Sequence, residues 1–108
     1  MIYAIEVVTA DRFIKFGVAL HHVARLSALQ SSCPYELRLA AAADWPDEEE
    51  GRIHAFLEDD RLRGEWYKPS PRTDLVVALL VDPEGLFLWQ EHATIPLSVS
   101  PTRWIECE

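Results

Sequence analysis

The first 18 residues carry the feature that most constrains the fold, two short β-type segments joined by a turn. The segment "IYAIEVV" (2–8) is rich in β-branched and aromatic residues, and "RFIKFGV" (12–18) alternates between two sets of side chains. "TAD" (9–11) lies between them, so the pattern predicts an antiparallel hairpin. Its apolar side, which includes Phe16, should face a core, and Lys15 should point to the opposite face of the sheet.

Hydrophobic spacing and start signals predict the elements that follow the hairpin. Apolar residues at helical spacing predict a helix over 21–31. The alternating segment 35–43 predicts a third strand, although its alanines also favour a helix. The segment 44–62 begins with acids and a proline, which suit the start of a helix. An extended piece (63–69) follows, and 70–81 predicts a helix, with a strand as the alternative because of its valines.

The C-terminal quarter is predicted to contain a turn, a strand and a terminal segment. The segment 82–85 predicts a turn, 86–92 a strand, and 101–108 an ordered or half-ordered end. The whole pattern predicts an α+β fold, a central antiparallel three-stranded sheet flanked by helices. We expect one domain over 1–82 and a C-terminal extension, 83–108, packed on the same domain.

Composition places the chain in a broad class. Its 108 residues are 49% hydrophobic and 26% charged, which predicts an ordinary soluble globular domain with one modest core. No apolar run approaches the ~20 residues that a bilayer-spanning helix needs, so we expect no membrane contact. The N-terminus lacks the basic region and cleavage site of a signal peptide, which makes a cytoplasmic location the default expectation.

The two cysteines, Cys33 and Cys107, lie far apart in the sequence. In a reducing compartment, two separate thiols are favoured over a disulfide bridge. The sequence contains no CxxC motif and no Cys/His cluster at zinc spacing, which argues against a structural zinc site.

The charge of the chain is strongly acidic and unevenly distributed. The formal net charge of −8, taken alone, argues against a nucleic-acid partner, because phosphate binding favours a basic surface. Segment 44–60 contains eight acids and one arginine, whereas 61–72 contains four basic residues and one glutamate. A basic edge next to an acidic helix is compatible with this pattern.

Five short motifs occur in a recognisable order. They are "Y-A-I" at 3–5, "K-F-G" at 15–17, "R-L-x-x-L-Q" at 25–30, "E-x-x-I-H" at 50–54 and "R-G-E-W-Y" at 63–67. Together they resemble the GIY-YIG nuclease superfamily, in particular a bacterial and phage subfamily with K-I-G and R-G-E-W-F motifs. The resemblance implies a small GIY-YIG-like domain and metal-dependent hydrolysis of nucleic-acid phosphodiester bonds, with DNA favoured over RNA.

The resemblance also implies a set of catalytic residues. Tyr3 matches the tyrosine of the first triplet, Lys15 takes the place of the second triplet's tyrosine, and Arg25 matches the arginine of the first helix. Glu50 matches the glutamate that binds a divalent metal ion, Mg²⁺ or Mn²⁺. His54 lies one helical turn after Glu50 and shares its face, so it is a further candidate for proton transfer or phosphate binding.

These residue types suit phosphodiester hydrolysis. Mg²⁺ keeps several waters and uses few protein ligands, so one carboxylate such as Glu50 can hold it. The planar guanidinium of Arg25 suits a nonbridging phosphate oxygen. A phenol such as Tyr3 is a poor base unless a cation stabilises its ionised form. Lys15 is a candidate for that cation, or for orienting the water or binding the phosphate.

Each candidate also has an ordinary structural interpretation. Tyr3 is typical of a packed strand residue, Lys15 of a solvated one, and acids in a charge run are usually solvated. His21 and His22 are candidates for phosphate contact or simply decorate the start of a helix. The pair Trp66 and Tyr67 suits either base stacking or a lid over the core.

The resemblance is incomplete in ways that leave an alternative function open. The first triplet lacks its glycine, and the asparagine found late in some superfamily members has no clear counterpart. The alternative is a catalytically inactive binding module of this fold, or an acidic interaction protein that mimics nucleic acid. The Trp- and Leu-containing C-terminal extension is a candidate surface for a protein partner under either function.

Overall fold

The computed structural model describes the backbone of residues 1–99 and the side chains of residues 1–92. Within this range the strands are β1 (Ile2–Val7), β2 (Ile14–Val18), β3 (Leu37–Ala43), β4 (Arg61–Arg63) and β5 (Trp66–Tyr67). The helices are α1 (His22–Ser31), α2 (Glu49–Phe56), α3 (Pro71–Val81) and α4 (Gly85–Val99). None of the helices in the described part is long and apolar enough to cross a bilayer.

The described strands form one sheet in the order β3-β1-β2-β5-β4, and every neighbouring pair is antiparallel. The α+β class is confirmed, but the predicted three-stranded sheet is wrong, because the sheet has five strands within residues 1–99. The additional pair, β4 and β5, is a short hairpin that lies against the free edge of β2. Strands of two or three residues are too short to show the alternation that reveals a strand in sequence.

The β1–β2 hairpin confirms the prediction from the first 18 residues. Its register pairs Tyr3 with Gly17 and Ile5 with Lys15, which places these four side-chain positions on one face. Phe16 points to the other face and is fully buried. A Cβ atom at Gly17 would lie 2.5 Å from the Tyr3 hydroxyl oxygen, so this position needs glycine for the tyrosine to lie flat on β2.

Both faces of the sheet are covered. α1 covers the face that carries Tyr3 and Ile5, with Leu26 and Leu29 packed on it. The opposite face holds the larger core, to which α2, α3 and α4 all contribute. Its buried members are Ile2, Ala4, Ile14, Phe16, Ala41, Trp45, Ile53, Leu57, Tyr67, Val76, Leu80 and Trp89.

α2 is shorter than the predicted helix over 44–62. It ends at Phe56 and is followed by a 3₁₀ turn, Glu58–Asp60, which leads directly into β4. The residues predicted to form the first turn of this helix are not helical. One of them, Trp45, packs on Trp89 with the ring centroids 6.3 Å apart. Burial of these two indoles in one core gives the segment before α2 a tertiary contact that local propensity does not reveal.

α3 confirms the helical interpretation of 70–81. Ser70 and Thr73 form a reciprocal capping box at its first turn. The buried carboxylate of Asp60 accepts hydrogen bonds from the Ser70 hydroxyl at 2.7 Å and from Arg72 Nε at 3.1 Å. Burial opposes ionisation of Asp60, but the Arg72 and Ser70 bonds outweigh it and lower the pKa of this carboxyl. The 3₁₀ turn is thereby fixed to the start of α3.

The predicted strand over 86–92 is wrong, because these residues belong to α4. Leu86 and Trp89, three positions apart, pack against the core, whereas Phe87 and Leu88 are exposed. The apolar run is continuous, so its period does not separate a strand from a helix. The indole of Trp89 is fully buried and donates a hydrogen bond to the buried Glu49 carboxylate at 3.2 Å.

The predictions for the chain end and for the second cysteine fall outside the described residues. The segment 101–108 and Cys107 both lie there. Cys33 lies just after the end of α1, is half-buried and forms no disulfide with a described residue.

Candidate active site

A cavity of about 350 Å³ lies between α2 and the β4–β5 hairpin. We call it the acidic cavity, because three glutamates line it. Its lining residues are Glu50, Gly51, His54, Glu58, Arg61, Gly64, Glu65 and Tyr67. It contains two of the residues predicted to be catalytic, Glu50 and His54.

α2 positions Glu50 and His54 on the same side of the helix. Ile53 is fully buried in the core and fixes the orientation of the helix, so that the residues on its flank face the hairpin. His54 Nε2 lies 3.9 Å from Glu50 Oε2, too far for a hydrogen bond. His54 Nδ1 forms a 2.7 Å hydrogen bond with the Tyr67 hydroxyl. His54 Nε2 is buried and has no hydrogen-bond partner in the described part of the chain.

The turn between β4 and β5 brings a third ionisable side chain to these two. Gly64 has a φ of +56°, a left-handed conformation that favours glycine and permits the tight turn. Glu65 follows it, and one ligand atom from each of Glu50, His54 and Glu65 lies within 4.8 Å of the others. This Glu50–His54–Glu65 cluster joins the helix to the sheet edge.

Glu65 also connects the cluster to Lys15. The Lys15 ammonium lies 2.7 Å from Glu65 Oε1, and it sits 5.9 Å from the centroid of the Trp66 ring. The side chain of Lys15 is nearly buried, so its charge is held next to the cluster instead of moving freely in solvent. The alternative interpretation of Lys15 as an ordinary solvated strand residue is therefore wrong.

A second pair of predicted residues lies on the α1 face of the sheet. The Tyr3 hydroxyl accepts a long hydrogen bond from Arg25 Nε, at 3.5 Å. Tyr3 is buried, whereas Arg25 is exposed and forms no ion pair in the described part of the chain. Contact with Tyr3, and more weakly the charge of Glu65, raise the pKa of Arg25. The guanidinium is therefore free to bind an anion next to the phenol.

Burial and like charge perturb the ionisation of the cavity residues. Burial, followed by the neighbouring charge of Glu65, raises the pKa of Glu50. Burial lowers the pKa of His54, which favours the neutral imidazole at pH 7. Burial also raises the pKa of Tyr67, so this phenol keeps its proton. Burial and the Glu65 carboxylate disfavour the charged form of Glu50, and the nearby Lys15 ammonium compensates them only in part.

No family model, curated protein sequence or solved structure matches this chain. The resemblance to the GIY-YIG superfamily therefore stays a prediction from the sequence motifs, and the chemistry of the site has to support any function.

The structure brings the predicted site residues together as two groups. Tyr3 and Arg25 touch on the α1 face, whereas Glu50 and His54 lie on α2, which packs on the opposite face. Lys15 and Glu65 lie between the groups, because Glu65 pairs with Lys15, belongs to the cluster and acts electrostatically on Arg25. His21 and His22 do not line the acidic cavity.

Sequence reasoning did not identify Glu65 as a site residue, and it considered Tyr67 only for base stacking or as a lid over the core. A signal for Glu65 was present, since it is the one acid among four basic residues in 61–72. Tyr67 is fully buried and contacts Phe16 edge-on at 5.9 Å, which matches the core-lid interpretation and excludes base stacking for this residue. Its hydrogen bond to His54 depends on a tertiary contact that the sequence spacing does not show.

Proposed function

We propose that the protein is a metal-dependent endonuclease that hydrolyses phosphodiester bonds of nucleic acid, with DNA as the first substrate to test. The observation that carries the proposal is the Glu50–His54–Glu65 cluster next to the Lys15 ammonium. It combines ligands for a divalent cation with a fixed positive charge, and phosphodiester cleavage requires both. The order of the five sequence motifs supports the same function independently of the structure.

The donor set fits a divalent cation. Two carboxylates and one imidazole supply oxygen and nitrogen ligands, and the buried His54 Nε2 has a lone pair or proton with no described partner. In our proposal Glu50 is the essential ligand. A bound divalent cation would supply Lewis-acid polarisation of a phosphate oxygen and a more acidic attacking water.

The remaining side chains have separate tasks in the proposed reaction. Arg25, exposed and without an ion pair in the described range, binds a nonbridging oxygen of the scissile phosphate through its planar guanidinium. Its Nε donates a hydrogen bond to the Tyr3 hydroxyl, and in the proposed reaction Tyr3 accepts the proton of the attacking water. The cation next to Tyr3 is therefore Arg25. Lys15, held by Glu65, contributes positive charge at the edge of the cavity and orients Glu65.

The burial of the acids weighs against the alternative of an acidic nucleic-acid mimic. Only four of the eight acids in 44–60 are exposed. Glu49 and Asp60 are buried, and their carboxylates accept hydrogen bonds within the fold. A mimic would need its charges spaced on the outer surface. An inactive binding module remains the competing function, and it predicts no cleavage under any metal condition.

The test is cleavage of supercoiled plasmid and of single-stranded DNA in Mg²⁺ or Mn²⁺. Glu50→Gln and Arg25→Ala should each lower the nicking rate by about 10²-fold or more, a loss typical of removing a group that contacts the transition state. Circular dichroism should show that both variants keep the fold. Equal residual nicking in the wild type and both variants would identify a contaminating nuclease and reject the proposal.

A further inference from the structure

We propose that Glu50, Glu65 and His54 together form a three-ligand cation site that selects a first-row transition-metal ion, such as Mn²⁺, over Mg²⁺. This inference rests on the proposed function and deepens it. The proposed function requires only Glu50 as an essential ligand, whereas here Glu65 and His54 bind the same ion and their imidazole and carboxylate decide which ion it is.

The spacing of the three ligand atoms is close to that of an assembled site. Three atoms all 4.8 Å apart, the widest spacing here, would each lie about 2.8 Å from their common centre, whereas bonds to small divalent cations are about 2.0–2.2 Å. Each ligand atom therefore has to move by about 0.6–0.8 Å. Glu50 Oε2 and His54 Nε2 are 3.9 Å apart, which is less than the about 4.2 Å that two bonds of about 2.1 Å can span.

The surroundings of His54 prepare one ring nitrogen for a cation. Nδ1 is occupied by its 2.7 Å hydrogen bond with the Tyr67 hydroxyl. If Nδ1 carries the proton and donates to Tyr67, the lone pair lies on Nε2, which is buried and without a described partner. Metal-bound histidines are usually held by such a second hydrogen bond, which fixes their tautomer.

Lys15 leaves Glu65 able to act as a ligand. The ammonium contacts Glu65 Oε1, and a carboxylate has a second oxygen for a cation. When no metal ion is bound, the positive charge of Lys15 partly compensates the negative charges of the two neighbouring carboxylates. With a cation, the pair with Lys15 holds Glu65 in place, as hydrogen-bonded carboxylate ligands are held in other metal sites.

The imidazole is the basis for selectivity. Mg²⁺ prefers oxygen ligands and near-ideal octahedral geometry, and it gives up its waters reluctantly. Divalent first-row transition-metal ions bind imidazole nitrogen more readily than Mg²⁺ does, so a mixed site with a buried imidazole favours them. Mn²⁺ binds most weakly of this series, which makes it the most stringent probe of the preference. A cation held by Glu50 alone, with waters completing its shell, would show no such preference.

The test is Mn²⁺ binding to the full chain, measured by the loss of the electron paramagnetic resonance signal of free Mn²⁺. We expect one site in the wild type that a tenfold excess of Mg²⁺ does not empty. Glu65→Gln and His54→Gln should each weaken Mn²⁺ binding at least tenfold, and Tyr67→Phe should weaken it by a smaller factor. Glu36→Gln, which removes an exposed carboxylate remote from the cavity, is the matched control and should bind as the wild type does. Circular dichroism shows whether each variant is folded.

The outcomes separate this inference from the proposed nuclease activity. Wild-type affinity in folded Glu65→Gln and His54→Gln, or equal competition by Mg²⁺, would overturn the three-ligand site. Plasmid nicking in Mg²⁺ that Glu50→Gln abolishes and Glu65→Gln leaves intact would reject the inference while keeping the nuclease. Specific Mn²⁺ binding with no nicking would keep the site and reject the nuclease.

Discussion

Replacing Glu50 with glutamine should stabilise the metal-free fold at pH 7. The Glu50 and Glu65 carboxylates lie within 4.8 Å, where two unit charges repel by about 3.5 kcal/mol at an effective dielectric constant of about 20, and by about 0.9 kcal/mol in water. Glu65 is 39% exposed and Lys15 is close, so the lower end applies and we expect a gain of about 1 kcal/mol. For a chain of this size that corresponds to a rise in Tm of roughly 4 °C.

The sign of the pH dependence follows from the raised pKa of Glu50. A carboxyl whose folded-state pKa lies above its unfolded value stabilises the fold at low pH, and this contribution is lost as pH rises through the folded pKa. The advantage of Glu50→Gln over the wild type should therefore grow between about pH 4 and neutrality.

The assay is thermal unfolding followed by circular dichroism in EDTA, with Glu36→Gln as the control for removal of one negative charge. A Glu50→Gln variant that is no more stable than Glu36→Gln at pH 7, or is less stable, would refute the electrostatic reasoning. Addition of Mn²⁺ should then raise the Tm of the wild type and leave that of Glu50→Gln unchanged.

Three further perturbations test the fold around the site. Gly17→Ala should lower the free energy of unfolding in urea by about 1–3 kcal/mol. The new methyl group would lie 2.5 Å from the Tyr3 hydroxyl oxygen, so the tyrosine would have to move. Asp60→Asn should destabilise the fold at pH 7, and the difference from the wild type should shrink as acid protonates Asp60 through its lowered pKa; equal stability at pH 7 would contradict this. Trp89→Ala should cost about 3–5 kcal/mol, and a loss below about 1 kcal/mol would show that α4 is not part of the core.

Local patterns in the sequence were sufficient for the first hairpin, α1 and α3. Alternation around Phe16 and the Ser-Pro start at residue 70 are local signals, and the hairpin register and the capping box follow from them. The β4–β5 hairpin and α4 required tertiary information. Two strands of two or three residues show no period, and the continuous apolar run around Trp89 fits a buried strand and a buried helix equally well.

The same distinction applies to the candidate site. Motif order identified Glu50 and His54, whose contact is local because they are one helical turn apart. The position of Glu65 relative to them depends on how β4 and β5 pair with β2, a contact between distant parts of the chain. The Tyr3–Arg25 contact likewise depends on how α1 packs across the sheet. The chemical types of the candidate side chains could be predicted from the sequence. Their division between the α1 face of the sheet and the opposite face could not.

The initial rate of plasmid nicking in saturating Mn²⁺ tests the central claim most directly. It should be measured on wild type, Glu50→Gln and Glu36→Gln purified in parallel. We predict that the wild type and Glu36→Gln nick at the same rate and that Glu50→Gln is slower by about 10²-fold or more. No nicking by the wild type, or the same rate in all three proteins, would contradict the assignment of the acidic cavity as a phosphodiester-cleaving site.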